Sequence, residues 1–286
     1  MKGISNIGNS CYLNSAIQML FNSEDFREIT KQSIFEKIIE HYDKSDKSDK
    51  SNIFNPSYIK NIVATNNTMF ANTNQQDSYE FIIFLFDVLD KILGNSMNNI
   101  LYDRFGLKTT SNIKCKMVHC GKESDNISTE LFLQLPITNE LDLSDSYRTY
   151  KSVGRLENDN AYFCDKCNKK VVARKNTITT KWPNNLIIVL KRFDYNMRKD
   201  GRNINIPLEW RHGYKLKGAI IHIGTFGGGH YIYFGKENHN DWFIANDSHI
   251  SKINDIDGFM NNQGRQSYIL YYQKELSEEY KQTTIL

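Results

Sequence analysis

A cysteine, a histidine and a neighbouring asparagine and aspartate occur in an order that suits thiol chemistry. Cys11 begins an apolar helical pattern, and His230 enters a predicted strand after three glycines. Asn246 and Asp247 directly follow the next predicted strand. A thiolate can attack a carbonyl carbon while an imidazole moves the proton and an amide or carboxylate orients the imidazole. The order predicts nucleophilic catalysis by Cys11 and His230, with Asn246 or Asp247 as the third group.

Cys11 lies where a loop containing Gly3 and Gly8 gives way to the helical pattern. Free backbone N–H groups and the positive end of a helix stabilise a thiolate there, and they can lower a cysteine pKa from about 8.5 to roughly 3.5–7.5. We therefore expect an activated thiol. Taken alone, Cys11 also fits a buried structural cysteine, and His230 also fits a structural histidine.

The other four cysteines form two pairs with the spacing of metal ligands. Cys115 and Cys120 are separated by four residues, and Cys164 and Cys167 are separated by two. The cysteines are too few and too unevenly spaced for a disulfide framework, so the pairs are typical of a structural zinc site with thiolate ligands. The wider first pair leaves open His119 as a substitute ligand, or a degraded site without metal. We expect zinc on the four cysteines and no catalytic cofactor.

Two predicted helices carry the first group of these residues. One runs over residues 11–22 and the other from Asp77 to Leu93, and both place apolar residues at helical spacing. Between them, the charged repeat from Asp43 to Ser51 has nothing to bury and predicts a flexible loop.

After about residue 103 the pattern changes to short β-rich segments. Helices followed by strands indicate an α+β fold rather than alternating βαβ units. The predicted strands cover residues 129–137, 186–193, 219–223, 230–234, 242–245 and 268–273.

Composition excludes several classes of protein. The 286 residues carry 36 basic and 33 acidic side chains, and a net charge of +3 without a basic cluster argues against nucleic-acid binding. No apolar run reaches the length of about 18 residues that predicts a membrane span, and the polar N-terminal residues lack the apolar core of a signal peptide. We expect a cytoplasmic protein, with a nuclear location as the alternative, that binds neither nucleic acid nor membranes.

Four segments resemble the sequence boxes of one enzyme family. Residues 3–18 resemble the cysteine box of the ubiquitin-specific proteases, and residues 228–233 with 242–248 resemble their histidine box. Residues 75–81 look like the family's glutamine–aspartate–glutamate helix start, and residues 186–195 look like its LKRF strand. The matches follow the family's order over nearly the whole chain.

The resemblance implies a papain-like ubiquitin-specific protease fold in a single catalytic domain, residues 1–286. The first cysteine pair departs from the family's pattern, because Met117 stands where a C-x2-C pair would have a cysteine. The implied parts are a helical thumb over about residues 1–103, zinc-tipped β fingers over about 104–180, a β-rich palm with the histidine box over about 181–275, and a tail over 276–286.

The implied activity is that of a deubiquitinating thiol protease, which hydrolyses isopeptide or peptide bonds at the C-terminal glycine of ubiquitin. Cys11 would attack the carbonyl group, His230 would move the proton, and Asn6 would stabilise the oxyanion. Asn6 also suits a loop-capping role. The third catalytic position falls on Asn246 by register, with Asp247 as its competitor because a carboxylate stabilises an imidazolium more strongly.

Asp77 and Glu80 lie three residues apart at a helix start and therefore on one face. The resemblance implies that this pair binds an arginine of the ubiquitin tail, whereas the simpler interpretation is N-terminal capping. The resemblance also assigns Phe193, Tyr195 and Tyr231 to the channel for the tail, although Phe193 equally suits the core.

The implied partners are ubiquitin or ubiquitinated proteins, bound by a monomer. Three alternatives stay open: a non-catalytic ubiquitin-binding module of the same fold, an enzyme for another ubiquitin-like modifier, and a zinc-dependent nucleic-acid protein. The presence of Cys11, His230 and Asn246 argues against the first, and the net charge of +3 argues against the third. A shared Gly-Gly tail leaves the second open.

Overall fold

The structure is a computed structural model that describes residues 1–31, 33–45, 53–94, 99–237 and 241–275. Most helices precede the strands, and the α+β class predicted from the sequence is confirmed. None of the helices within these ranges is both long and apolar enough to cross a membrane. The helices are α1 (Cys11–Phe21), α2 (Glu24–Ile29), α3 (Ile34–Lys44), α4 (Ser57–Asn66), α5 (Ser78–Ile92), α6 (Ile100–Phe105), α7 (Leu143–Tyr150) and α8 (Ile256–Asn261).

The strands form a larger sheet, a smaller sheet and a hairpin. They are β1 (Leu107–Cys115), β2 (Glu123–Glu130), β3 (Leu133–Leu135), β4 (Gly154–Leu156), β5 (Tyr162–Cys164), β6 (Lys169–Val171), β7 (Ala173–Lys181), β8 (Asn185–Leu190), β9 (Glu209–Trp210), β10 (Tyr214–Thr225), β11 (Gly228–Glu237), β12 (Asp241–Asn246), β13 (His249–Ile253) and β14 (Ser267–Lys274). The larger sheet has the order β13-β12-β11-β10-β14-β8-β3, with β9 on β10, and the smaller sheet has the order β2-β1-β7-β4. β5 and β6 form the hairpin, and of the larger sheet's pairs only β3 with β8 is parallel.

α1 is the central helix of the fold. All 11 of its residues are buried, which is the pattern of a helix that packs on every side. It lies between α5 and the strands β10 and β11, and the ring of Tyr12 packs on Phe81 of α5 at a centroid distance of 5.7 Å. Cys11, the first residue of α1, therefore lies where the helices meet the larger sheet.

A second hydrophobic core covers the opposite face of the larger sheet. On that face, Tyr147 of α7 packs on Trp210 with ring centroids 5.8 Å apart. β8 is buried along its whole length because its side chains alternate between the two cores. This position explains the continuous apolar sequence of β8.

Two predicted elements differ from the structure. α3 continues through Lys44, so it includes the start of the loop predicted from Asp43 to Ser51, and residues 46–52 lie outside the described residues. The predicted strand 129–137 is two strands in different sheets, because the chain leaves the smaller sheet after Glu130. β3 and α7 thus place part of the predicted fingers range against the larger sheet. The predicted tail, residues 276–286, also lies outside the described residues.

Candidate active site

The loop before Cys11 takes its shape from Asn6. The side-chain oxygen of Asn6 accepts hydrogen bonds from the backbone N–H groups of Gly8 at 3.1 Å and Ser10 at 3.2 Å. Gly8 has a φ of 101°, a conformation that favours glycine. The oxygen of Asn6 therefore caps the loop, while its amide nitrogen is left for other contacts.

Asp247 joins this loop to α1. Its Oδ2 accepts a hydrogen bond from Asn6 Nδ2 at 2.8 Å, and its Oδ1 accepts one from Asn14 Nδ2 at 2.7 Å. The backbones also touch at this point, since a Cβ on Gly3 would lie 2.5 Å from the carbonyl oxygen of Ser248. Both carboxylate oxygens of Asp247 are thus bound to asparagines on the helical side of the molecule.

His230 is bound by Asn246. The distance between His230 Nε2 and Asn246 Oδ1 is 2.6 Å. Because an amide oxygen can only accept, we assign a proton to Nε2, so that in the neutral imidazole Nδ1 is the nitrogen without a proton. His230 lies on β11 and Asn246 ends β12, and these two strands pair directly. The sheet therefore holds an imidazole whose Nδ1 can act as a general base.

The Cys11 thiol is nearly buried, with 4% of the residue exposed. Burial raises the pKa of Cys11, a hydrogen bond from the backbone N–H of Tyr231 lowers it, and the charge of Asp247 raises it. The net direction is upward, opposite to the expectation of an activated thiol, because the cost of burying a thiolate exceeds the help from its hydrogen bonds. A thiol whose pKa is raised by burial needs a base to accept its proton. His230 precedes Tyr231 on β11 and is the base predicted from the sequence.

A cleft of about 560 Å³ begins at Cys11 and separates the start of α5 from the hairpin that joins β10 to β11. Its wall contains four of the five residues predicted to bind a substrate tail: Asp77, Glu80, Phe193 and Tyr231. The fifth, Tyr195, is 94% exposed and lies outside the wall. The chain turns outward after Phe193, because Asp194 accepts hydrogen bonds from the backbone N–H groups of Asn196 and Arg198.

Asp77 is the N-cap of α5. Its Oδ1 accepts hydrogen bonds from the backbone N–H groups of Tyr79 at 2.7 Å and Glu80 at 3.0 Å. It also accepts one from the Tyr268 hydroxyl at 3.2 Å, and Oδ2 accepts one from the Tyr231 hydroxyl at 3.0 Å. Burial raises the pKa of Asp77. Since the carboxylate of Asp77 is occupied within the protein, the exposed Glu80 is the better placed of the two to meet a substrate cation.

Gln75, His222 and Tyr268 are among the residues of the cleft wall that had no role predicted from the sequence. His222 is 4% exposed, and burial together with the nearby Lys199 and His230 lowers its pKa to about 4. Gln75 binds the backbone of Gly229 across the cleft, with its Oε1 3.0 Å from the N–H nitrogen. These residues come from three separate segments, so no local pattern in the sequence could have grouped them.

The four paired cysteines meet at one end of the smaller sheet. Their sulfur atoms lie within 4.8 Å of one another, with 3.9 Å between Cys115 and Cys167 and 3.7 Å between Cys120 and Cys164. Tetrahedral zinc with Zn–S bonds of about 2.3 Å places its sulfur atoms about 3.8 Å apart. The four-residue spacer makes a wide turn, in which His119 has a φ of 65° and is exposed. The donor set and its spacing therefore fit zinc, with the four thiols rather than His119 as ligands.

Comparison with known proteins gives a family match over most of the chain. A family model described as ubiquitin carboxyl-terminal hydrolase matches residues 2–272. The chain is 23% identical to ubiquitin carboxyl-terminal hydrolase 4 of Vanderwaltozyma polyspora, and 26% identical to ubiquitin carboxyl-terminal hydrolase 17-like protein D of Mus musculus. These alignments cover 95% and 96% of this chain but 41% and 55% of the two relatives. The chain thus spans about half the length of these relatives, or less.

Two solved structures are similar in fold. One is the SAGA DUB module of Ubp8, Sgf11, Sus1 and Sgf73 bound to monoubiquitin, with a TM-score of 0.80 and 24% identity. That match covers 97% of this chain and 70% of the solved chain. The other is the same module bound to ubiquitin aldehyde, with a TM-score of 0.76 and 23% identity. The chain therefore shares the α+β fold of these structures over nearly its whole length.

Proposed function

The chain belongs to the ubiquitin carboxyl-terminal hydrolase family, and on that premise we propose that it is a deubiquitinating thiol protease. The observation that carries the proposal is the hydrogen bond between His230 and Asn246. His230 lies on β11, and the next residue of that strand, Tyr231, donates its backbone N–H to the Cys11 thiol. A thiol, an unprotonated imidazole nitrogen and a side chain that fixes the imidazole are the groups that thiol hydrolysis needs. The proposed substrates carry an isopeptide or peptide bond at the C-terminal glycine of ubiquitin.

The first half of the proposed reaction forms a thioester. Nδ1 of His230 accepts the proton of Cys11 as the sulfur bonds to the carbonyl carbon, and the carbonyl oxygen becomes an oxyanion. Asn6 has one N–H on Asp247, and its second N–H is the donor proposed for the oxyanion. The His230 imidazolium then donates its proton to the leaving amine, the C–N bond breaks, and the acyl group stays on Cys11.

The second half hydrolyses the thioester. Nδ1 of His230 takes a proton from a water molecule whose oxygen bonds to the acyl carbon. The C–S bond then breaks, and the imidazolium returns the proton to the Cys11 sulfur. Asn246 keeps the imidazole in one orientation through both halves, so that the same nitrogen serves as base and acid.

Glu80 and Asp77 have different proposed roles in binding the tail. Glu80 is exposed at the cleft wall, and we propose that its carboxylate pairs with an arginine of the ubiquitin tail. Asp77 has a mainly structural role, because it caps α5 and accepts hydrogen bonds from the hydroxyls of Tyr231 and Tyr268. Phe193 and Tyr231 supply apolar wall for the backbone of the tail.

We further propose that Cys115, Cys120, Cys164 and Cys167 hold one structural zinc ion. Zinc would link the β5–β6 hairpin to the end of β1 through thiolate bonds. These residues belong to the smaller sheet and its hairpin, whereas Cys11 lies in the main core, so the metal has no proposed part in bond cleavage. Its proposed role is to hold the sheet in a shape that contacts ubiquitin.

Hydrolysis of ubiquitin carrying a C-terminal fluorogenic amide tests the proposed activity. The purified chain should release the fluorophore, and Cys11→Ala should release none while still binding ubiquitin, because only the nucleophile is lost. Asp241→Asn is the control, since it breaks only an exposed ion pair with Lys252 outside the cleft. Binding without hydrolysis by the wild-type chain would identify a non-catalytic ubiquitin-binding module. Faster cleavage of another Gly-Gly-tailed modifier would reassign the substrate.

A further inference from the structure

Contacts cross the cleft at two depths. At the inner level, the hydroxyls of Tyr231 and Tyr268 reach across from the larger sheet to the carboxylate of Asp77, and these contacts are partly buried. At the outer level, the backbone N–H of Gly229 donates to Oε1 of Gln75 at 3.0 Å, and this contact is exposed. Residues at both levels belong to the wall of the same cleft. A chain lying in the cleft beside Cys11 therefore has an inner floor and an outer crossing.

The outer crossing stays in place because Gly229 has no room to move inward. A Cβ at this position would lie 2.2 Å from Nε2 of the buried His222, so the backbone of Gly229 already rests on that ring. The residue that follows Gly229 is His230. The crossing by Gln75 thus lies close to the position where the scissile bond must be held.

The contacts across the cleft limit how a substrate can enter it. An extended glycine-rich tail with a free end, or with a small group on its end, can enter a covered channel lengthwise. A tail that joins two folded proteins cannot enter in this way, because neither folded body fits through a cleft of about 560 Å³. Such a tail can reach Cys11 only from the open side, and that route requires the hydrogen bond between Gln75 and Gly229 to break.

Building on the proposed function, we propose that Gln75 determines leaving-group specificity. Its hydrogen bond to Gly229 is a latch that opens for substrates with a folded protein on each side of the scissile bond. The latch can stay closed for substrates whose leaving group is small. Gln75 therefore limits the cleavage of protein conjugates without taking part in the chemical step.

The ratio of two kcat/KM values measures the latch. One substrate is isopeptide-linked diubiquitin, and the other is ubiquitin C-terminal ethyl ester, whose leaving group is ethanol. Gln75→Ala removes the crossing bond and should raise the fraction of open cleft, so the ratio of diubiquitin to ester should rise by about 2- to 12-fold. Gln273→Ala is the matched control, because Gln273 lies outside the cleft wall and donates to the side-chain oxygen of Asn185, and its ratio should equal that of the wild type.

A reducible disulfide that holds the cleft closed tests the same inference. Gly228 suits a cysteine because its φ is ordinary and a Cβ there would lie 3.2 Å from Gln75 Oε1. In the Gln75→Cys, Gly228→Cys double variant, a disulfide should abolish cleavage of diubiquitin and keep hydrolysis of the ethyl ester. Reduction should restore the cleavage of diubiquitin. The wild-type chain, taken through the same oxidation and reduction, controls for oxidation of Cys11.

The outcomes separate this inference from the proposed function. A wild-type chain that hydrolyses neither substrate overturns the proposed function, and the latch fails with it. An active wild type whose ratio is unchanged by Gln75→Ala overturns the latch alone. A disulfide that blocks both substrates, or neither, overturns it as well. If the disulfide does not form, the ratio for Gln75→Ala decides the question by itself.

Discussion

Asn246 and Asp247 are neighbours in the chain, but their side chains bind different partners. Asn246 lies 2.6 Å from Nε2 of His230, whereas the carboxylate of Asp247 binds Asn6 and Asn14. Asp247 has a φ of 50°, which turns its side chain away from the direction of Asn246 at the end of β12. Consecutive residues therefore bind the imidazole of His230 and the side chain of Asn6, which is the proposed oxyanion donor.

This geometry predicts different effects for the two alanine variants. Asn246→Ala should lower kcat about 10²- to 10⁴-fold, because an unoriented imidazole is a poor general base. Asp247→Ala should lower kcat by a smaller factor, since His230 keeps its partner while Asn6 loses one. Steady-state kinetics with a ubiquitin C-terminal amide measures both, and a larger loss for Asp247→Ala would move the orienting role one residue along.

The Cys11 thiol should respond to the charge of Asp247. Burial is the main cause that raises the pKa of Cys11, and the negative charge of Asp247 adds to it. Asp247→Asn removes that charge, so the pKa of Cys11 should fall. The rate of alkylation of Cys11 by iodoacetamide should then reach half its maximum at a lower pH than in the wild type. Asp241→Asn, which breaks an exposed ion pair with Lys252, should leave this midpoint in place. An unmoved midpoint in Asp247→Asn would contradict the assigned cause.

At the scale of elements, the sequence predicts the helices and strands whose apolar residues recur at a regular spacing. α1 and α5 lie at the predicted positions because their apolar faces are continuous. α3 carries a similar signal in its buried residues Phe35, Ile38, Ile39 and Tyr42, and a search for helical spacing would have found it. β1 and β7 could not be found in this way. They are polar strands held together by backbone pairing and by hydroxyl contacts such as Ser111 to Thr177 at 3.0 Å.

The start of α5 gives a prediction about pH and stability. Burial raises the pKa of Asp77 in the folded chain above its ordinary value of 3.8. Protonation then favours folding, so this contribution is present below the ordinary pKa and is lost as the pH rises through the folded pKa. Asp77→Asn keeps a capping side chain without the charge. At pH 7 its Tm should equal or exceed that of the wild type, and the difference should shrink toward pH 4.

Asp77→Ala provides the comparison for the cap itself. It removes the acceptor for two backbone N–H groups, and losing an N-cap costs about 0.5–2 kcal/mol. Thermal unfolding followed by circular dichroism should therefore show a lower Tm than for Asp77→Asn. Equal melting temperatures for the alanine and asparagine variants would mean that capping by Asp77 contributes nothing measurable.

At the scale of the whole molecule, the residues that the structure describes form two large cores and one small one. The large cores lie on the two faces of the larger sheet. The buried residues of the small one are Cys115, Cys164 and Val171, with Cys120, Cys167 and Tyr162 packed against them. So few apolar groups bury little surface, and a metal bound by the thiols would supply much of the cohesion at this end of the smaller sheet.

Metal removal should therefore separate the stability of the smaller sheet from that of the active site. Purified protein should contain about one zinc ion per chain by elemental analysis. Chelation, or Cys164→Ser, should lower the thermal stability and leave the alkylation rate of Cys11 unchanged, because Cys11 belongs to another core. Cys11→Ser is the control and should retain its zinc. Zinc-free protein of full stability would show that the widened cysteine pair no longer forms a site.

Family resemblance placed the residues of the candidate site that lie within sequence boxes, and the structure brings Cys11, Asp77 and Tyr231 to one cleft. Tyr195 lies outside the cleft wall, and a turn that points outward looks the same in sequence as one that lines a channel. The sequence also could not predict contacts between residues of different sequence boxes. The crossing from Gln75 to Gly229 joins residues separated by 154 positions, and only the packing of the helices on the sheet creates it.

One core is shared by the helical part and the larger sheet, and this arrangement suits the chain to use as a split reporter. Cys11 comes from the first part of the chain and His230 from the second, while both parts contribute buried residues to the same core. Two fragments, cut between the helices and the strands, would each carry half of the reactive pair. Neither could hydrolyse a bond alone, so the background signal would be low. Recovered hydrolysis would report that the two fragments had come together.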